Sequence, residues 1–89
     1  MALVRFTQNI QRHVACPPRN VEGPTVRDIL NAYFRGNALA RDYVFDEQGQ
    51  LRRHMAIFID GEPVLDRRGL ADPVSPAGTI DIVQALSGG

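Results

Sequence analysis

Gly88 and Gly89 have the most distinctive chemical use in this sequence, because they stand just behind an extended apolar run, Ile80 to Leu86. A glycine pair adds nothing to the backbone, so a Gly-Gly carboxylate can thread a channel that any side chain would block. Once inside, the Gly89 carboxylate can be activated by an enzyme that recognises the folded body behind it. A frayed end or a cloning scar would look the same at this level, since chain ends are commonly disordered. The rest of the sequence has to separate these readings.

No other constellation competes with the terminus. His13 and His54 fall within runs that read as strands, where a histidine is more often structural than a base. Cys16 has apolar neighbours and reads as a small buried hydrophobe rather than a nucleophile. As the single cysteine it can form no internal disulfide and no thiolate metal cage. The carboxylates show no metal-loop spacing, and the glycine-containing turns match neither the P-loop nor the dinucleotide fingerprint. No catalytic set, bound cofactor or metal site is therefore expected.

Ten basic and ten acidic residues leave a formal net charge of zero, which excludes the clustered positive excess of a nucleic-acid binder. Arg52-Arg53 and Arg67-Arg68 have acids close by and read as solvated loop charges. All ten basic residues are arginine. A GC-rich coding bias accounts for that, although a chain with an activated terminus would also gain from having no side-chain amine to attack it.

With 89 residues, 44% of them apolar, the chain is expected to make one globular domain. A domain this size buries roughly 60–65% of its unfolded surface. No apolar run approaches the ~20 residues of a membrane span, and Met1 to Phe6 lacks a signal-peptide layout. The expectation is a cytoplasmic protein with no membrane partner.

The elements that must present the terminus can be read in order. Leu3 to Thr7 alternates as a strand with one buried face. His13 to Cys16 reads as a second short strand stopped by Pro17-Pro18, with Gln8 to Gln11 holding the hairpin turn. Thr25 caps a helix whose Val26, Ile29, Leu30, Tyr33 and Phe34 form one apolar stripe. Gly36 is expected to end it as a left-handed residue. Leu39 to Tyr43 adds a short helical turn, and Asp46 to Gly49 an exposed turn.

His54 to Ile59 reads as a central strand, Asp60-Gly61 as a tight turn, and Glu62 to Leu65 as a brief edge element. The stretch from Asp66 to Gly78 is polar and broken by prolines. Thr79 to Leu86 is the last strand, with Ile80 and Ile82 on one face, inserted beside the first. Strand, strand, helix, strand, short strand, strand is an α+β order: a mixed four- to five-stranded sheet covered on one face by one main helix.

That order, the Thr25-Val26-Arg27-Asp28-Ile29-Leu30 helix start, the apolar strand before Asp60-Gly61-Glu62 and the Gly88-Gly89 end resemble the MoaD/ThiS sulfur-carrier family. The likeness covers essentially the whole chain. It implies a ubiquitin-like β-grasp domain over residues 1–86 and a flexible Gly-Gly tail over 87–89. The long segment from Asn37 to Arg53 is similar to the MoaD and CysO branch. Gln84, however, stands where molybdopterin-type carriers usually have proline.

The resemblance further implies that Gly89 is the modified residue and that Ala85, Leu86, Ser87 and Gly88 set the docking of the tail. A ubiquitin-activating-type enzyme would use its own ATP and magnesium to adenylate Gly89. A sulfur donor would then convert it to a thiocarboxylate, to be spent in a sulfur-accepting biosynthetic enzyme. The chain would be carrier and substrate, not catalyst. Two alternatives stay open: the small subunit of a molybdopterin synthase, and a ubiquitin-like modifier or interaction module.

Overall fold

The structure is a computed structural model that describes residues 1–85. Its elements follow in the order β1 (Ala2–Phe6), α1 (Gln8–Gln11), β2 (Arg19–Val21), α2 (Val26–Phe34), α3 (Ala38–Val44), β3 (Met55–Ile59), β4 (Glu62–Pro63) and β5 (Thr79–Gln84). The strands among these residues form one mixed sheet in the order β2-β1-β5-β3-β4. β5 lies parallel to β1 and antiparallel to β3, so the last strand of the chain is the central one.

The alternation in the strands becomes two faces. Ala2, Val4 and Phe6 of β1, Ile80 and Ile82 of β5, and Met55 and Ile57 of β3 are buried on the helix side. Successive side chains on a strand point to opposite faces. Leu3, Arg5, Thr79, Asp81, Val83, Ala56 and Phe58 therefore share the other face, which no described helix covers.

α2 forms where its apolar stripe predicts, and all five stripe residues are buried. The Thr25 hydroxyl accepts from the Asp28 amide at 3.2 Å and donates to the Asp28 carboxylate at 2.7 Å. The first amides of the helix, which no helical carbonyl can reach, donate elsewhere: Val26 to Asp72 and Arg27 to Leu70, at 3.1 and 2.9 Å. The segment before β5, polar in sequence, thus finishes the helix N-terminus. Phe6, Tyr33, Phe34 and Phe45 pack as tilted and edge-on rings with centroids 5.1–6.1 Å apart, joining β1 to both longer helices.

Four local expectations are corrected. The second strand is not His13 to Cys16 but Arg19–Val21, paired antiparallel with β1 beyond the two prolines. Gln8 to Gln11 is a helical turn that sinks Ile10 into the core, and the Val14 amide extends it by donating to the Ile10 carbonyl. Val14 and Cys16 owe their apolar character to packing from a loop. Gly36 is not left-handed; α2 ends through Arg35 in the ordinary helical region. Asn37 immediately caps α3 by accepting from the Ala40 amide, so the chain bends between two helices instead of reversing. Finally, β3 has one sheet neighbour on each side but lies next to the two-residue edge strand β4, and the centre belongs to β5.

The Asp60-Gly61 turn is as expected. Both residues have positive φ, +50° and +86°, the backbone that matches the twist of a two-residue hairpin. Asp60 also ties the hairpin to the start of β5, its carboxylate accepting from the Thr79 amide at 2.9 Å.

Candidate functional site

The candidate site is the end of β5 together with the uncovered sheet face that leads to it. β5 is held on both sides almost to its last residue. On the β1 side the Thr7 amide donates to the Ile82 carbonyl at 3.1 Å, and on the β3 side the Ala85 amide donates to the His54 carbonyl at 2.8 Å. A central strand with neighbours on both edges is a stiff base from which to project a chain. Ala85 is itself exposed. Leu86, Ser87, Gly88 and Gly89, the rest of the expected tail and its modified residue, lie outside the described residues.

Around this exit stand groups that the sequence does not bring together. The Tyr43 hydroxyl, from α3, donates to Oε1 of Gln84 at 3.0 Å. The His13 ring stacks on Tyr43 with centroids 5.5 Å apart and planes 19° from parallel. Both histidines are exposed and lie off the strands: His13 follows α1, and His54 occupies the turn before β3. His54 contributes its main-chain carbonyl.

The uncovered face has a polar centre in apolar surroundings. The Arg5 guanidinium grips the Asp81 carboxylate with two hydrogen bonds, at 2.8 and 3.0 Å, across adjacent parallel strands. Phe58 lies opposite Asp81 and Val83 opposite Ala56 in the register of β3 and β5. These apolar residues are half-buried.

Elsewhere the chemistry is spent on structure. Cys16 is buried, its thiol donates to the Val14 carbonyl at 3.4 Å, and burial pushes its pKa up, which disfavours the thiolate. Arg52 and Arg67 lie in loops with Arg67 exposed, as the sequence implies, and both also fasten main chain. Arg52 donates twice to the Asp42 carbonyl, and Arg67 donates to the carbonyls of Met55 and Arg52, fastening the loops before and after the β3–β4 hairpin. Among the described residues no three of His, Cys, Asp and Glu gather where a metal ion could sit. No described helix is long and apolar enough to cross a membrane.

Sequence reasoning missed the Arg5–Asp81 pair and the Tyr43–Gln84 contact. Alternation puts Arg5 and Asp81 on the polar sides of their strands, yet nothing linear pairs residues 76 apart.

No protein-family model matches the sequence, and no curated protein matches it. Solved structures do. A chain of the Amycolatopsis orientalis BexX/CysO complex superposes with a TM-score of 0.81 at 22% identity, covering 100% of both chains. CysO from Mycobacterium tuberculosis gives 0.79 at 18% identity, covering 97% of this chain and 100% of that one. SAMP1 from Haloferax volcanii gives 0.78 at 20% identity, with 99% and 98% covered. At such identities the likeness speaks for the fold alone: this chain is a ubiquitin-like β-grasp domain whose backbone matches these structures over nearly its whole length.

Proposed function

We propose that the chain is a sulfur carrier activated at Gly89. One observation carries this reading: the central strand of a β-grasp sheet, paired with β1 through Ile82 and with β3 through Gln84, runs straight into Ala85, four residues before Gly89. A carboxylate is a poor acyl donor, because its charge repels nucleophiles and oxide is a bad leaving group. A ubiquitin-activating-type enzyme, with its own ATP and magnesium, joins the Gly89 carboxylate to AMP and releases pyrophosphate. Hydrosulfide then attacks the acyl carbon; the C–S bond forms as the bond to AMP breaks, leaving a thiocarboxylate. A persulfide donor reaches the same product once a thiol cleaves the S–S bond of the acyl persulfide.

In this reading the chain is substrate and carrier. Gly88 and Gly89 enter the partner's channel, Ala85, Leu86 and Ser87 set the docking, and the face around Arg5, Asp81 and Phe58 gives the recognition area. That one structural neighbour belongs to a BexX/CysO complex supports a protein partner. Co-expression with a cognate activating enzyme and a sulfur source is expected to give an intact mass with one oxygen replaced by sulfur. An unchanged mass under competent conditions defeats the proposal.

A second reading is favoured by the likeness to a small archaeal modifier protein: the same activated tail joined to target lysines. Branched adducts on lysines, with no thiocarboxylate, would select it. Deleting Gly89 separates both from a plain binding module, which keeps its function without the residue.

A further inference from the structure

We infer that Tyr43 is a positioning residue for the tail, acting through Gln84; the inference rests on the tail-activation reading above. Gln84 takes the core-side position of β5 after Ile80 and Ile82, where an apolar residue would complete the row. An amide there has long, soft torsions, so its orientation depends on what it binds. Among the described residues, the Tyr43 hydroxyl supplies its side-chain hydrogen bond. On its other flank Gln84 borders an open groove of about 420 Å³ that Thr7, Gln8, Asn9 and Arg12 also line.

Tyr43 is in turn held firmly. Its ring lies against His13, and its helix is anchored at the other end by Asn37, which caps α3 and donates to the Ala15 carbonyl at 2.7 Å. The loop after α1, helix α3 and the end of β5 therefore meet at the residue before Ala85. The Ala85 amide bond to His54 is the last described main-chain tie of the strand, and strand ends open locally unless something holds them. Tyr43 holds this one.

The consequence is directional. Acyl activation requires the reacting carboxylate and phosphate to be aligned closely, and small misplacements slow the step steeply. Loosening the base of the tail widens the range over which Gly89 is presented, while the docking face stays intact. Turnover should fall and affinity should hold.

The test uses the full chain with Tyr43→Phe, Gln84→Met and Gln84→Glu, the last of which keeps the hydrogen-bond acceptor. Hydrogen exchange of the Ala85 amide is followed by NMR, with core amides of β5 as the reference for global stability. ATP–pyrophosphate exchange with a competent activating enzyme is resolved into kcat and KM. Losing one side-chain hydrogen bond is expected to speed Ala85 exchange roughly three- to tenfold and to lower kcat by a similar factor, with KM nearly unchanged. This holds for Tyr43→Phe and Gln84→Met, whereas Gln84→Glu restores both quantities. Unchanged Ala85 exchange in the first two variants overturns the inference. So does faster exchange with kcat intact, or a rise in KM alone. A wild-type chain that is never activated overturns the functional reading instead, and the exchange measurement still decides whether Tyr43 holds the tail base.

Discussion

Arg5 and Asp81 sit side by side on parallel strands and form a two-point ion pair in the middle of the one sheet face that no described helix covers. An exposed pair of this kind contributes little to folding. In the proposed function it is a recognition feature, because a partner that covers Phe58 and Val83 must also cover these charges. Arg5→Glu places two carboxylates together at that point. The variant is expected to keep its fold by circular dichroism while its KM with the activating enzyme rises on the order of tenfold or more.

The N-cap of α2 is a separable contribution to stability. Thr25→Ala removes the acceptor for the Asp28 amide and the donor to its carboxylate. A loss of about 1 kcal/mol is expected in urea denaturation. A loss below a few tenths would mean that the Asp28 side chain caps the helix unaided.

Ile82 is fully buried at the centre of β5. Ile82→Ala is expected to cost about 2–5 kcal/mol, a large share of the roughly 5–13 kcal/mol that a domain of this length can hold. Ile82→Val should cost only about 1 kcal/mol. A urea series on the conservative variant checks this on a chain that still folds in the absence of denaturant.

Tyr33 sets the limit at high pH. Burial foremost, with the charge of an ionised Cys16 adding to it and the Arg19 guanidinium opposing, pushes its hydroxyl up to about 12. The unfolded tyrosine ionises near ~10. Below that value both states are neutral and nothing is lost. Between about 10 and about 12 only the unfolded state gives up its proton, so stability declines as the pH rises through this window. Tyr33→Phe is expected to flatten the decline, read from unfolding midpoints across the same range.

Asp66 acts at the acid end. Its carboxylate accepts from the amides of Gly69 and Ala71 at 2.9 and 3.2 Å, and these hold its pKa below the usual aspartate value. A depressed folded pKa gives stability that is present above the unfolded value and is lost as the pH falls through the folded one. Asp66→Asn should remove that acid-side dependence. The loop before β5 is expected to show it first, as faster exchange of the Gly69 and Ala71 amides below pH ~4.

Burial on one face was legible in the sequence wherever it recurs at a fixed spacing. The stripe from Val26 to Phe34, the alternation through Ile80 and Ile82, and the positive-φ turn at Asp60-Gly61 all follow from neighbours a few residues apart. β2 left no such trace. Arg19 and Asn20 are exposed, and the strand exists because its main chain completes hydrogen bonds with β1. The run His13 to Cys16 drew the expectation instead, although Val14 and Cys16 pack from a loop.

The sequence alone therefore determined an α+β chain with a capped helix and a tight hairpin, because each is written in local spacing. Only the tertiary structure decided that β5 is central, that Arg5 meets Asp81 and that Tyr43 reaches Gln84. Those contacts join residues 76 and 41 positions apart, and a hydrogen bond of that span comes into being only after the sheet has closed and chosen its register.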